Sequence, residues 1–77
     1  MNPLANVLDF LTKLEERKIS YRLEHNRHDS IMVLVATPGK RWEIEFFPND
    51  KIEVEVFGKS SGITTATTSD LLARLEE

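Results

Sequence analysis

The sequence predicts a two-layer α+β domain, in which a four-stranded antiparallel meander carries an N-terminal helix and a short C-terminal helix on one face. Apolar residues recur at helical spacing near both ends of the chain, and four segments between them have the composition of strands. The connections between those segments are short, which favours antiparallel neighbours and a single core. The order α-β-β-β-β-α therefore indicates one domain spanning residues 1–77.

Both predicted helices have start signals and apolar stripes. Asn2 followed by Pro3 is typical of an N-cap and a first helical position, and this helix should end near Lys18. The second helix follows a predicted loop over residues 58–68 and has candidate caps at residues 67–69. The stripes consist of Leu4, Val7, Leu8, Leu11 and Leu14 in the first helix and Leu71, Leu72 and Leu75 in the second.

Four strands are predicted between the helices. Residues 20–25 alternate between apolar and polar, and residues 31–36 are apolar throughout, as in an inner strand whose two faces are both covered or partly covered. Residues 41–47 and 51–57 alternate strictly, which is typical of strands with one buried face.

The turns predict the register of the sheet. Pro38-Gly39 fits a two-residue turn, and Pro48 to Asp50 fits a three-residue loop in which aspartate tolerates the left-handed conformation. Both turns place the same apolar set on one face, and this agreement is the strongest structural argument in the sequence. The predicted core face carries Ile31, Val33, Val35, Trp42, Ile44, Phe46, Ile52, Val54 and Val56.

The opposite face is unusually acidic. In the predicted register Glu45 lies opposite Glu53 and Glu43 lies opposite Glu55, although each such like-charge pair destabilises a sheet by about 0.2–1 kcal/mol. Residues 41–57 carry a net charge of −3, equal to that of the whole chain. We therefore take this face as the candidate partner-binding surface, formed by Met32, Leu34, Arg41, Glu43, Glu45, Glu53 and Glu55.

This face has several interpretations. The glutamates can be solvated side chains that block edge pairing and are partly neutralised by Arg22, Arg41 and Lys51. They can instead surround an apolar patch that binds a basic protein partner, or the face can pack against a second copy if Arg22 and Arg41 interleave with the glutamates. Cation binding is disfavoured, because adjacent strands offer no carbonyl-lined loop.

Other chemistry has little support in the sequence. His25, His28 and Asp29 could contribute to a zinc site, but no further ligand completes the set, so a polar loop is the favoured interpretation. The "FGKSSG" stretch lacks the first glycine of a phosphate-binding loop, since Glu53 occupies that position. No nucleophile elbow surrounds the Ser- and Thr-rich segment. We expect no catalytic, cofactor-binding or metal-binding residues, and hence no enzyme.

Composition narrows the cellular context. The chain has no cysteine, so disulfides cannot stabilise it, and it lacks the basic stripe that nucleic-acid binding requires. The N-terminal segment has no basic region and contains Asp9, unlike a signal peptide. The longest apolar run, residues 31–36, is far shorter than the roughly 20 residues of a membrane helix. We expect a cytoplasmic protein without nucleic-acid or membrane partners, either a monomer or a weak homodimer.

Short motifs are spread over half of the chain: Tyr21-Arg22-Leu23, Ile31-Met32-Val33, Pro38-Gly39, Arg41-Trp42-Glu43, Glu45-Phe46 and Glu53-Val54-Glu55. In these motifs the chain resembles a group of small bacterial α/β proteins without an assigned role. The group usually has an Asp-Gly turn where this chain has Asn49-Asp50. The resemblance implies a similarity in size and charge to immunity proteins, which block secreted toxins. Together with the acidic face, it favours a non-enzymatic, immunity-like or antitoxin-like binding module over a structural or self-associating domain.

Overall fold

The computed structural model describes residues 3–58, 62–65 and 68–75 and confirms the α+β fold class, with an N-terminal helix, an antiparallel meander and a short C-terminal helix. Neither helix in the described part of the chain is long and apolar enough to span a membrane. The elements are α1 (Pro3–Glu16), β1 (Tyr21–Glu24), β2 (Ile31–Thr37), β3 (Lys40–Phe46), β4 (Ile52–Gly58), β5 (Gly62–Thr65) and α2 (Thr68–Leu75).

The sheet is extended by one strand beyond the predicted four. Its order is β1-β2-β3-β4-β5, and β5 lies within the segment that the sequence predicts as a loop. The register of this added strand pairs Glu53 with Thr65 and Glu55 with Ile63. The predicted loop around it is rich in Gly, Ser and Thr, but the edge of β4 offers unpaired backbone groups that a short segment of Thr and Ile can satisfy.

Both predicted turns are confirmed, and with them the register. Gly39 and Asp50 adopt φ angles of 78° and 64°, so each supplies the left-handed residue that its turn requires. Val35 lies opposite Trp42, and Ile44 lies opposite Val54, as the turn lengths predict.

One face of the sheet carries the whole core. Both helices pack on the face that contains Trp42, and the rings of Phe10 and Phe46 lie 5.5 Å apart between α1 and β3. The outer face of the sheet is therefore not covered by either helix. In the described part of the chain, the buried apolar residues are Val7, Phe10, Leu11, Leu14, Val33, Val35, Trp42, Ile44, Phe46, Ile52, Val54, Val56, Leu71, Leu72 and Leu75.

A Schellman cap ends α1 and sets the helix beside β1. Lys18 has a φ of 58°, and the Ile19 N–H donates to the Leu14 carbonyl at 2.9 Å. The Tyr21 hydroxyl donates to the Glu15 carboxylate, and this hydrogen bond raises the pKa of Tyr21. The flank of α1 that contains Glu15 therefore faces β1.

Some expectations fall on residues that lie outside the described ranges. These are the N-cap at Asn2, the first candidate cap of α2 at residue 67, and the Lys59-Ser60 pair.

Candidate functional site

The predicted binding residues lie together on the outer sheet face, which we define as the side chains of β1 to β4 that point away from the helices. In one row across the strands Leu34 lies beside Glu43, which lies opposite Glu55. The next row has the same arrangement, and Arg41 begins a third row near the β2–β3 turn. The face comprises Met32, Leu34, Arg41, Glu43, Glu45, Glu53 and Glu55, with Arg22 and Glu24 from β1 and Phe57 from β4.

Glu45 differs from the other three glutamates because it is buried, with an exposed fraction of only 7%. The β1–β2 loop closes over it: the Ser30 hydroxyl donates to its carboxylate at 2.6 Å, and the Arg27 Nε lies 3.5 Å from the same oxygen. Strand alternation places Glu45 on the outer face but contains no information about this loop. Glu45 therefore holds the loop in place and does not meet solvent.

Glu53 has a cation beside it. The Lys51 Nζ lies 3.0 Å from its carboxylate, as the sequence interpretation of a partly neutralised face anticipates. By contrast, Glu43 and Glu55 are half-buried, and no residue in the described part of the chain forms an ion pair with either of them. We call Glu43 and Glu55 the acidic pair.

Cations stack on the aromatic rings at both ends of the outer face. The Arg41 guanidinium lies 4.8 Å from the centre of the Phe57 ring, while Arg27 and Lys51 lie 5.8 and 5.7 Å from the Phe47 ring centre. Such contacts stabilise by about 0.5–1 kcal/mol at exposed sites. Sequence reasoning missed Arg27, because the β1–β2 loop has no periodicity that would predict its direction.

The apolar part of the face lies toward β1. Leu34 and Ala36 line a shallow hollow of about 240 Å³, and Arg22 and Arg41 stand at its sides. The outer face is thus divided into an apolar region with arginines at one side and the acidic pair at the other. The sequence interpretation of an apolar patch surrounded by negative charge alone is therefore incomplete.

The histidines of the β1–β2 loop lie elsewhere. His25 and His28 border a largely apolar hollow of about 300 Å³ together with Leu4 and Phe46. Among the residues that the structure describes, no three histidine, aspartate or glutamate side chains are grouped closely enough to hold a metal ion.

Replacing Ser30 with alanine is expected to destabilise the fold by about 1–3 kcal/mol, because it leaves a buried Glu45 oxygen without its hydroxyl donor. Urea denaturation of the single variants Ser30→Ala and Glu45→Gln and of the double variant would measure the coupling. Additive effects of the two substitutions would contradict a direct interaction.

No protein-family model, curated protein or solved structure matches the chain.

Proposed function

We propose that the protein is a non-enzymatic binding module that uses its outer sheet face to bind a basic protein partner. The observation that carries this proposal is the acidic pair: two carboxylates lie directly opposite each other in adjacent strands, and no described residue neutralises either one. Like charges directly opposite each other destabilise the folded sheet, and a bound cationic group would offset this destabilisation.

The chemistry of the face indicates how such a partner would dock. A Lys or Arg side chain of the partner would lie between Glu43 and Glu55, while an apolar side chain would cover Leu34 and Met32, which are only partly buried. Long-range attraction to the acidic pair accelerates the encounter, and the apolar contact then slows dissociation. Glu45 is not a contact in this mechanism, because the β1–β2 loop covers it.

An inhibitor of a basic toxin is the form of this function that the family resemblance implies. Inhibition by surface complementarity needs neither a catalytic group nor a cofactor, since an occupied partner surface is sufficient. The partner's chemistry follows from the acidic pair, and its biological class follows from the resemblance alone.

The test is affinity capture on three columns, which carry the wild-type protein, Glu43→Gln/Glu55→Gln and Glu16→Lys. Glu16 is an exposed glutamate on α1 and controls for a change in net charge. We expect basic proteins to be retained from native lysate by the wild type and by the Glu16 variant, and to be lost from the double variant. Identical retention on all three columns would overturn the proposal.

The kinetics of a captured partner test the mechanism. Its association rate constant should fall by at least about tenfold between 20 and 200 mM salt, as expected for electrostatically steered encounters, whereas its dissociation rate should change less. Surface plasmon resonance measures both rates. An association rate that is independent of salt would exclude steering by the acidic pair.

Self-association through the same face is the second candidate, and it is favoured by Arg22 and Arg41, which lie on the outer face with the acidic pair. Sedimentation of the Glu43→Lys/Glu55→Lys variant separates the two functions. A dimer that this substitution dissociates would indicate face-to-face packing, because the two arginines would lose their carboxylate partners.

A further inference from the structure

The edge of the sheet at β1 combines an open strand with exposed apolar side chains. Among the described residues, β1 pairs with β2 on one side and with no strand on the other. Among the residues whose exposure the structure describes, the exposed large apolar ones are Leu4, Leu8 and Leu23, at 67%, 55% and 51%. We call these three residues the edge strip.

The three leucines lie on the same side of the molecule. Leu23 belongs to the helix-covered face of β1, since it pairs with the fully buried Val33. Leu8 lies two helical turns before Glu15, whose carboxylate accepts the hydrogen bond from β1, so it shares the flank of α1 that faces this strand. Leu4 precedes Leu8 by one turn on the same flank. The edge strip therefore runs along the open side of the two layers.

The backbone of β1 has hydrogen-bonding groups that point out of this edge. Bonding in an antiparallel ladder alternates residue by residue. The Phe47 N–H donates to the Lys51 carbonyl at 3.0 Å, so odd-numbered residues of β3 bond toward β4 and even-numbered ones toward β2. The even-numbered residues of β3 pair with odd-numbered residues of β2, so the even-numbered residues of β2 bond toward β1. Their partners in β1 are Arg22 and Glu24, and the backbone groups of Tyr21 and Leu23 therefore point away from the sheet.

We propose that the protein forms a symmetric homodimer in which β1 pairs antiparallel with the β1 of a second copy. This pairing joins two five-stranded sheets into one continuous sheet and covers the edge strip of both copies. It uses a different surface from the acidic pair and does not depend on the proposed function.

Charge selects a single register for this pairing. A two-fold axis through any residue of β1 keeps like faces of the two sheets aligned, but an axis through Tyr21 pairs only that one residue of β1 with the partner's β1. The remaining choices are Arg22, Leu23 and Glu24. The first choice places two arginines opposite each other, and the third places two glutamates opposite each other, so both are repulsive. The Leu23 register instead places Arg22 of each copy opposite the partner's Glu24, which gives two attractive pairs.

The backbone geometry agrees with the Leu23 register. Because the Leu23 groups point outward, Leu23 and the partner's Leu23 exchange two hydrogen bonds across the axis. Arg22 and the partner's Glu24 then form a non-hydrogen-bonded pair, in which facing side chains approach most closely. The Arg22 side chain is 77% exposed, and its guanidinium lies 3.8 Å from the Glu24 carboxylate of its own strand, which is a long ion pair. The side chain can therefore reorient toward the partner's Glu24.

A second copy fits this edge better than an unrelated extended peptide. It supplies at once a leucine opposite Leu23, a carboxylate opposite Arg22 and a cation opposite Glu24. In the helix layer, Leu8 of each copy lies at the same edge and adds apolar contact near the axis. Apolar burial and charge complementarity therefore favour the same partner.

Analytical ultracentrifugation over a range of protein concentrations tests the proposal on four variants of the full chain. Arg22→Glu and Glu24→Arg should each weaken dimerisation by about tenfold or more, because each turns two attractive cross-strand pairs into repulsive ones. The double variant Arg22→Glu/Glu24→Arg should restore the wild-type constant, since the swap recreates both pairs. Glu16→Arg, a charge reversal on α1, should leave it unchanged.

Amide hydrogen exchange gives an independent readout of the same interface. Protection of the Leu23 and Tyr21 N–H groups should rise with protein concentration, whereas protection of core amides should not. A wild-type protein that stays monomeric at millimolar concentration would overturn the proposal. So would a dimer that both single reversals leave intact, or one that the double swap fails to restore.

Discussion

Replacing Trp42 with alanine is expected to lower the free energy of unfolding by about 3–5 kcal/mol. The side chain is almost fully buried at the centre of the core face, and its indole N–H donates to the Thr37 hydroxyl at 2.9 Å. The Arg74 guanidinium lies 5.0 Å from the ring centre, so the same side chain joins the sheet to α2. Domains of this size have a total stability of roughly 4–12 kcal/mol, so the loss would unfold a large fraction of the protein.

Thermal and urea denaturation followed by far-UV circular dichroism measures this effect. Trp42→Phe is the matched control: it keeps a buried ring but loses the hydrogen bond to Thr37 and part of the volume, and it should cost about 1–2 kcal/mol. Equal stability of the alanine and phenylalanine variants would contradict a role for ring burial in linking the sheet to α2.

The second large effect is expected at Gly58. Its φ of 144° is a conformation that side chains rarely allow, and a Cβ there would lie 2.4 Å from the backbone carbonyl oxygen of Gly39. Since neither group is the end of a flexible side chain, Gly58→Ala must displace the end of β4 from the β2–β3 turn. We expect a loss of about 3 kcal/mol, from backbone strain and overlap together.

Gly39→Ala is the control for this prediction. Gly39 also has a positive φ, of 78°, but a Cβ at that position would meet nothing within 4 Å. Gly39→Ala should therefore lower the free energy of unfolding by about 1 kcal/mol, which is the cost of a non-glycine residue in the left-handed conformation. Denaturation of both variants compares the two sites, and an equal loss at both would show that steric overlap at Gly58 is unimportant.

These predictions bear on the candidate site because the fold positions both of the proposed interaction surfaces. Residues that carry the core cannot be used to probe binding, since their variants unfold. Glu45 belongs with them, as its carboxylate anchors the β1–β2 loop through Ser30 and Arg27. The acidic pair and the charges of β1 are more suitable, because their substitutions change the surface and leave the core intact.

The site could be predicted from sequence to the extent that it depends on strand alternation. The register that places Glu43 opposite Glu55 follows from the Pro48 to Asp50 loop, the Pro38-Gly39 turn places Leu34 beside Glu43, and a side-chain period of two puts them on one face. The fifth strand was not predictable in this way. Gly62–Thr65 lies in a segment whose Gly, Ser and Thr content predicts a loop, and its pairing depends on the free edge of β4.

The sequence by itself determined the fold class, the helix-covered face and the placement of the glutamates on the other face, because local propensity, turn chemistry and periodicity all act within short segments. Only the tertiary structure decided that Glu45 is buried and that Leu4, Leu8 and Leu23 share the edge at β1. These features depend on loop direction and helix placement, which are set by contacts between residues far apart in the chain. For this reason only the structure shows that, in the described part of the chain, Glu43 and Glu55 are the outer-face glutamates without an ion pair. It also shows that β1 has no paired strand on its outer side there.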